Sequence, residues 1–421
     1  VGKLFEELTD LKYMVVLADG MADYPIKELD SRTPLEYAHT PWLDQLARQA
    51  SIGMVQTIPE GFPPGSDVAN LAVLGYDPRI YYTGRSPLEA VSMGVELGEA
   101  DLALRCNLVT LSDEGNYAQK SMLDYSAGEI SSEEAHQLIA ALNAHLGNEE
   151  FRFHSGISYR HLMLWKNGGE RQVILTPPHD ISSRGIGQYL PTGKDGSILL
   201  DLMERSALIL QDHPINKKRR QQGKPPAVSA WFWGEGRKPQ LTSFRERFGL
   251  EGSVVAAVDL VRGLGISAGL TPVTVPGATG GVETNFAGKG EAAIQELKSG
   301  RDFVFLHIES ADEAGHQGNL QAKIGSIEQI DREVIRRIVE ALPDFEDLQV
   351  LVLPDHPTPL SLRTHSSDPV PFLIYRKSQP VQAGPGIFHE KAAARGVFVK
   401  EGFTLMDRFI NPGNYSTPDL R

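Results

Sequence analysis

The stretch "YMVVLADG", residues 13–20, is an apolar run of strand length that ends on a carboxylate. It has no polar alternation, as expected of a strand covered on both faces. The same arrangement returns twice near the other end of the chain, in "FVFLHIESAD" (303–312) and "LQVLVLPDH" (348–356). Helical patterns lie between such runs. "TPWLDQLARQA" offers Thr40 as N-cap, Pro41 at the first helical position and an apolar face of Leu43, Leu46, Ala47 and Ala50. "IGSIEQIDREVIRRIVEAL" places Ile324, Ile327, Ile330, Val334, Ile338 and Leu342 on one helical stripe. This alternation predicts an α/β fold, a mostly parallel sheet with helices on both faces. In such sheets functional residues sit just beyond the carboxyl ends of the strands. Asp19, Asp312, Asp355 and His356 are therefore expected on one edge, although they come from opposite ends of the chain.

The middle of the chain reads differently. From Met93 to Leu250 it has Gly/Pro-rich loops, aromatics and shorter strand candidates such as "RHLMLW" (160–165) and "RQVILT" (171–176). One helix is well marked: "SSEEAHQLIAALNAHLG" has Ser131 and Glu134 as a capping box and stops at Gly147. The earlier pattern resumes at "VVAAVDLVRGLG". The expected organisation is a sheet domain made of residues 1–92 and 251–421, interrupted by an inserted α+β domain, 93–250. A chain of 421 residues is long enough for this.

Composition bounds the function. With 41% hydrophobic and 23% charged residues the chain is of ordinary soluble type. Its single cysteine, Cys106, excludes an internal disulfide framework and fits a reducing cytoplasm. No apolar run has the length of a membrane span, and the first residues carry no signal-peptide pattern. A formal net charge of −13 disfavours nucleic acid as a partner. It leaves room for a small anion held by metals and a few arginines. The one basic run, "KKRR" (217–220), is expected to be a solvated loop or helix face.

Histidine is scarce, with 12 in the chain, yet His316, His356 and His365 fall within fifty positions, each close to an aspartate. Asp312 and His316 are spaced i, i+4, on one side of a helical turn. Asp355 and His356 are adjacent at a strand end, where neighbouring side chains diverge, so they could serve two different ions. His365 follows a Pro-rich loop that could bring it back. Carboxylates with imidazoles and no thiolate favour Mn²⁺, Zn²⁺, Mg²⁺ or Fe²⁺ over a structural zinc site. Caps and buried hydrogen bonds would explain any one of these residues, but not the set. Ser66, in "PPGSDVANLAVLG", opens a helix. It is either an N-cap or a nucleophile set against the positive end of the helix dipole.

The blocks "VVLADGMAD", "PPGSDVANLAVLGYDP", "YYTGRSPLEA", "ADEAGH" and "PDHPTP…RTHSSDPVPFLIY" resemble the alkaline phosphatase superfamily. More narrowly they are similar to its archaeal-type cofactor-independent phosphoglycerate mutases. The inserted segments "CNLVTL", "HSGISYRHLML", "PPHDI" and "WFWGEG" select that branch. The resemblance implies two divalent ions, usually Mn²⁺, with Zn²⁺ or Mg²⁺ as substitutes and no 2,3-bisphosphoglycerate. One ion is implied on Asp312, His316 and His365, the other on Asp19, Ser66, Asp355 and His356. It implies Ser66 as nucleophile, and Arg160, His179, Asp180 and Arg262 as candidate substrate contacts. The implied reaction passes the phosphoryl group of 3-phosphoglycerate to Ser66 and back to the 2-position, while the insert closes to hold glycerate and exclude water. A phosphatase or phosphopentomutase would share every metal ligand and differ in the insert. A homoserine kinase, the label some relatives carry, is opposed by the lack of any P-loop. A non-catalytic phosphate-binding protein is opposed by the complete ligand set.

Overall fold

The computed structural model describes residues 10–411. These form two compact units, one made of residues 10–82 and 240–411, the other of Thr83–Pro239. The changeovers lie earlier than the 92/93 and 250/251 read from the sequence. The helix Ser86–Ser92 packs with the second unit through Ala90. Phe244, before the resumed pattern, stacks on Phe303 of the first unit at 4.3 Å. Residues 1–9 and 412–421 of the expected end segments lie outside the described residues.

In chain order the strands are β1 (Leu11–Ala18), β2 (Ser51–Val55), β3 (Leu102–Leu111), β4 (Met122–Asp124), β5 (Phe151–His154), β6 (Arg160–Trp165), β7 (Ser229–Gly236), β8 (Gly252–Val255), β9 (Thr271–Val273), β10 (Phe303–Ile308), β11 (Asp347–Leu353), β12 (Val370–Arg376) and β13 (Val397–Val399). The first unit holds an eight-stranded sheet in the order β13-β2-β12-β11-β1-β10-β8-β9. β11, β1, β10, β8 and β9 run parallel, and β12 is antiparallel to both β11 and β2. The expected mostly parallel sheet is what forms.

The strands are apolar throughout because both faces are covered. Met14, Val16 and Ala18 of β1 lie in register with Val304, Leu306 and Ile308 of β10. This face packs against Ala293, Ile294 and Leu297 of the helix Phe286–Lys298 and against Ile327 and Ile330. On the other face Tyr13 meets the ring of Phe409 at 5.6 Å. Each fully buried valine, leucine, isoleucine or methionine among them stabilises the fold by about 1.5–3 kcal/mol.

The long helical stripe is not one regular helix. Leu320–Gln329 and Arg336–Ala341 are α-helical, and Ile330–Ile335 between them is a π-turn. The extra residue per turn buries Ile335 beside Val334. It also turns Asp331 toward the helix Pro41–Ala47, where its carboxylate accepts from Leu43 N (2.7 Å) and Trp42 N (3.3 Å). That cap replaces the one expected from Thr40, whose side chain makes none.

The second unit is a five-stranded antiparallel sheet centred on β3, which pairs with β4, β6 and β7; β5 pairs with β6. Leu104, Cys106 and Leu108 face the helices Ser132–Leu146 and Gly196–Leu210. Ala103 faces the opposite way, against Ala90, Leu162 and Leu164. The expected strand at 171–176 is an isolated bridge at Ile174. The Ser131 hydroxyl caps its helix by accepting from Glu134 N, but the Glu134 carboxylate turns to Arg219. That leaves "KKRR" as a helix face with Arg219 buried and the other three residues exposed. Among the described residues no helix is long and apolar enough to cross a membrane.

Candidate functional site

The parallel strands deliver their acidic residues to one edge of the first unit. Asp19 follows β1 and Glu309 follows β10. The helix Ser310–His316 then carries Asp312 and His316, and Asp355 and His356 lie in the turn after β11. Gly20 lets these segments meet. Its φ is +62°, and a Cβ there would stand 2.5 Å from Asp312 Cα and 2.6 Å from Thr358 Oγ1. Gly20→Ala should therefore push Asp312 off its position. Activity is expected to fall at least about 10-fold, with a loss of roughly 1–3 kcal/mol of stability from the strained backbone. Steady-state rates and thermal melts check both.

Ser66 is the first residue of the helix Ser66–Val73, with Gly65 at the cap position and no side-chain cap. Its hydroxyl is thus free of the capping role and lies 3.0 Å from His356 Nε2. His356 Nε2 also faces Asp355 Oδ2 at 3.3 Å and Asp19 Oδ1 at 3.7 Å. Asp355 and His356 converge here, contrary to the divergence expected of strand neighbours. β11 ends at Leu353, so the alternation of a strand no longer applies to them. His316 Nε2 and His365 Nε2 are 2.9 Å apart and lie 3.2 Å and 3.5 Å from the two oxygens of Asp312.

The tautomers follow from the other ring nitrogen. His316 Nδ1 donates to Arg363 O (3.1 Å), His365 Nδ1 to Pro64 O (3.3 Å) and His356 Nδ1 to Thr358 Oγ1 (3.3 Å). Thr358 Oγ1 in turn donates to Asp312 Oδ1. When neutral, each imidazole therefore turns its Nε2 lone pair inward, as metal-ligating histidines do, and without a cation a proton on Nε2 takes that place against Asp312. Two lone pairs at 2.9 Å repel unless a cation or proton sits between them.

The electrostatics ask for the same charge. Burial, then the nearby Asp355, Asp312 and Glu309, hold the Asp19 carboxyl well above the usual range. Burial pushes Asp312 up too, but hydrogen bonds to His316 and His365 outweigh it and hold that group well below. Burial alone would lower His316, yet Asp312 raises it to about 9. Asp19 Oδ1 is buried with no hydrogen-bond partner. Asp312, His316 and His365 offer ligand atoms within 4.8 Å of one another, and so do Asp19, Asp312 and His356. This donor set fits divalent metal ions.

Several supporting residues escaped the sequence reading. Asn70 Nδ2 donates to Asp355 Oδ2 at 2.9 Å. His307 Nε2 donates to Asp19 Oδ2 at 2.8 Å; burial holds this imidazole neutral, at about 3. Asp19, His307 and Glu309 form another close group. Lys323, fully buried, spends its three protons on Ala22 O (3.2 Å), Asp23 Oδ2 (2.8 Å) and Thr358 O (2.8 Å). It thereby ties the loop after Asp19 to the loop after His356. Lys323→Met leaves Asp23 buried without its counter-ion, a loss of about 3–5 kcal/mol. Metal affinity, read by calorimetry, should fall about 10- to 100-fold. Only the asparagine and threonine carried a local hint, one helical turn after Ser66 and two residues after His356.

The candidate substrate contacts divide between the units. Arg262 lines a cavity of about 240 Å³ at the ends of β8 and β9, together with Lys289. Arg160, His179 and Asp180 belong to the second unit. Arg160 is exposed at the start of β6, over the Tyr159 ring at 5.1 Å. His179 meets the Trp233 ring at 5.2 Å, and Asp180 is exposed beside it. None of these three therefore stands in the unit that carries Asp19, Asp312 and Asp355.

Residues 47–216 match the family described as 2,3-bisphosphoglycerate-independent phosphoglycerate mutase. The probable mutase of that name from Geobacter sulfurreducens is 49% identical over 402 residues, covering 95% of this chain and all of the relative. The Methanosarcina acetivorans mutase is 49% identical over 387 residues, 92% of this chain and 96% of its own. Among solved structures, a Pyrococcus horikoshii protein superposes with a TM-score of 0.80 at 30% identity, covering 96% of this chain and 98% of that one. The cofactor-independent phosphoglycerate mutase of Thermoplasma acidophilum gives 0.64 at 26%, covering 95% and 99%. Near end-to-end identity of this size shows common descent, and the chain belongs to the 2,3-bisphosphoglycerate-independent phosphoglycerate mutases, a family of isomerases.

Proposed function

We propose that this protein interconverts 3-phosphoglycerate and 2-phosphoglycerate through a phosphoserine at Ser66, without 2,3-bisphosphoglycerate. The observation that carries the reading is the convergence of Ser66 Oγ with the bare Nε2 of His356 at 3.0 Å, beside the buried carboxylates of Asp19 and Asp355. The family relationship supports the substrate. Asp312, His316 and His365 would hold one divalent ion, and Asp19, Ser66, Asp355 and His356 the other, with Mn²⁺ suited to the donors. When bound, such ions stabilise charge on phosphoryl oxygens and favour the ionised form of a hydroxyl.

The chain's own residues supply the rest. Ser66 Oγ attacks phosphorus in line; the new O–P bond forms as the bond to the C3 oxygen breaks. The glycerate 2-hydroxyl then attacks the phosphoryl group on Ser66, and the serine oxygen leaves. The helix that begins at Ser66 turns its positive end toward the transferring group. The second unit is assigned to holding glycerate and excluding water, with Arg160, His179 and Asp180 as contacts; Arg262 is assigned to the metal-bearing unit. A cytoplasmic place in glycolysis and gluconeogenesis belongs to the same proposal, supported by the lone buried Cys106, whose thiol burial pushes up.

The test is conversion of 3-phosphoglycerate with 2,3-bisphosphoglycerate enzymatically removed and inorganic phosphate followed in the same tube. Formation of 2-phosphoglycerate at full rate with little phosphate is expected. Phosphate release without 2-phosphoglycerate would make the protein a phosphatase, and no turnover with Mn²⁺, Zn²⁺ or Mg²⁺ would leave it a binding protein.

A further inference from the structure

Lys289 and Lys323 are both fully buried in the first unit, yet only Lys323 has an acceptor for each of its three protons. Lys289 has one hydrogen bond, from Nζ to Thr279 O at 3.2 Å. Among the described residues no carboxylate stands within ion-pair distance of it, and the charge of Glu309 reaches it only through space. Burial with too few acceptors is costly for an ammonium, and it pulls Lys289 down to about 8. The residue lines the cavity of about 240 Å³ at the ends of β8 and β9. Arg262 and Thr274 line it too, with Arg262 Nη1 donating to Thr274 Oγ1 at 3.4 Å. The helix Asp259–Ser267 starts at the same cavity, and Val258, which has no polar side chain, holds its cap position. The positive end of that helix therefore faces the cavity. Asp259, the acidic residue of the lining, is exposed to water. An ordinary internal void is apolar and stays dry. This one joins a buried ammonium with unused protons to a guanidinium and a helix N-terminus.

We propose that this cavity is a binding site for a small oxyanion, a carboxylate or phosphate, with Lys289 as its buried donor and Arg262 as its second cation. The ammonium supplies a point charge, and the guanidinium supplies planar donors that match either anion. The volume admits an acid of a few carbons and is too small for a nucleotide. β8 lies two strands from β1, about 10 Å across the sheet, so the cavity is on the edge that carries Asp19. The helix Asp259–Ser267 also packs against the helix that begins at Ser66. Two sources of the anion fit this place. One is the carboxylate of a phosphoglycerate whose phosphoryl group is at Ser66, and the other is separate inorganic phosphate. The first source rests on the function proposed above; the site itself does not.

The experiment titrates the full Mn²⁺-loaded chain with D-glycerate and, separately, with inorganic phosphate by calorimetry. KM for 3-phosphoglycerate and thermal melts are measured alongside. Both anions can also meet the metals, so the difference between wild type and Lys289→Met or Arg262→Gln is what reads the cavity. If the substrate's carboxylate is the ligand, each variant should bind D-glycerate about 10-fold more weakly and show a KM raised by a similar factor. If separate phosphate is the ligand, phosphate binding alone should weaken about 10-fold and KM should stay as it is. Lys289→Met should also melt higher than wild type, by roughly 2 °C, because it removes an ammonium that folding leaves short of acceptors. A lysine kept only for the fold would lose stability on this change and leave both titrations alone, which would overturn the proposal. Wild type that binds neither anion, or folded variants that bind both as wild type does with wild-type KM, would overturn it too. If Lys289→Met does not fold, Arg262→Gln decides by the same titrations. Wild-type protein that leaves 3-phosphoglycerate unchanged ends the proposed function, while the two anion titrations still decide this site.

Discussion

Ser66→Ala protein, loaded with divalent metal, is expected to bind 3-phosphoglycerate and to convert it more slowly by on the order of 10⁴-fold or more, the scale on which loss of a covalent nucleophile is felt. The substitution removes one oxygen from the first turn of a helix. It leaves the Asn70–Asp355 hydrogen bond and the Asp312, His316 and His365 group untouched. Alanine suits a first helical turn, so the fold should melt within about 1 kcal/mol of wild type. In wild type, labelled substrate should leave its phosphoryl group on Ser66. Two in-line transfers should return it to the same glycerate with configuration at phosphorus retained. Removing 2,3-bisphosphoglycerate should change nothing, since the substrate itself supplies the phosphoryl group. A label on histidine, or near-normal turnover by Ser66→Ala, would sink the mechanism.

The parts of this site that could be read in advance share one property: they end a strand or repeat at a helical spacing. Asp19, Asp312 and Asp355 each follow an apolar run, and a parallel sheet must bring such ends to one edge. His316 was legible through its four-residue offset from Asp312. What could not be read depends on distant segments meeting. Lys323 lies in a helix whose pattern says only that the position is polar; that it is buried against Ala22 and Thr358 is a tertiary fact. Asp331 likewise caps a helix almost three hundred residues away, because a π-turn, invisible in the apolar stripe, points it there. The boundaries slipped for a related reason. The short helix Ser86–Ser92 looks like a continuation of the preceding helical segment, and only its contacts assign it to the second unit.

Asp19→Asn should invert its effect on stability when the metal is removed. In chelator-treated protein the Asp19 carboxylate is buried beside Asp355, Asp312 and Glu309, with one oxygen unpartnered. Like charges so confined oppose folding, and a neutral amide of the same shape relieves them. The metal-free variant is therefore expected to melt higher than metal-free wild type. With Mn²⁺ at about a thousand times its dissociation constant, wild type should gain roughly 4 kcal/mol from each ion bound to the folded state alone. The variant keeps the Asp312, His316 and His365 group but loses one of the two carboxylates beside His356, so it should gain from one ion only and turn over slower by orders of magnitude. Melts of both proteins, with chelator and with Mn²⁺, give the four values needed. A residue kept for packing would lower the melting temperature in both conditions, because its loss would cost the same contacts with or without metal. A residue kept for a cation costs stability until the cation arrives. If Asp19→Asn melted well below wild type under chelation, or gained as much from Mn²⁺, Asp19 would not be a metal ligand, and the two-ion reading of this edge would fail with it.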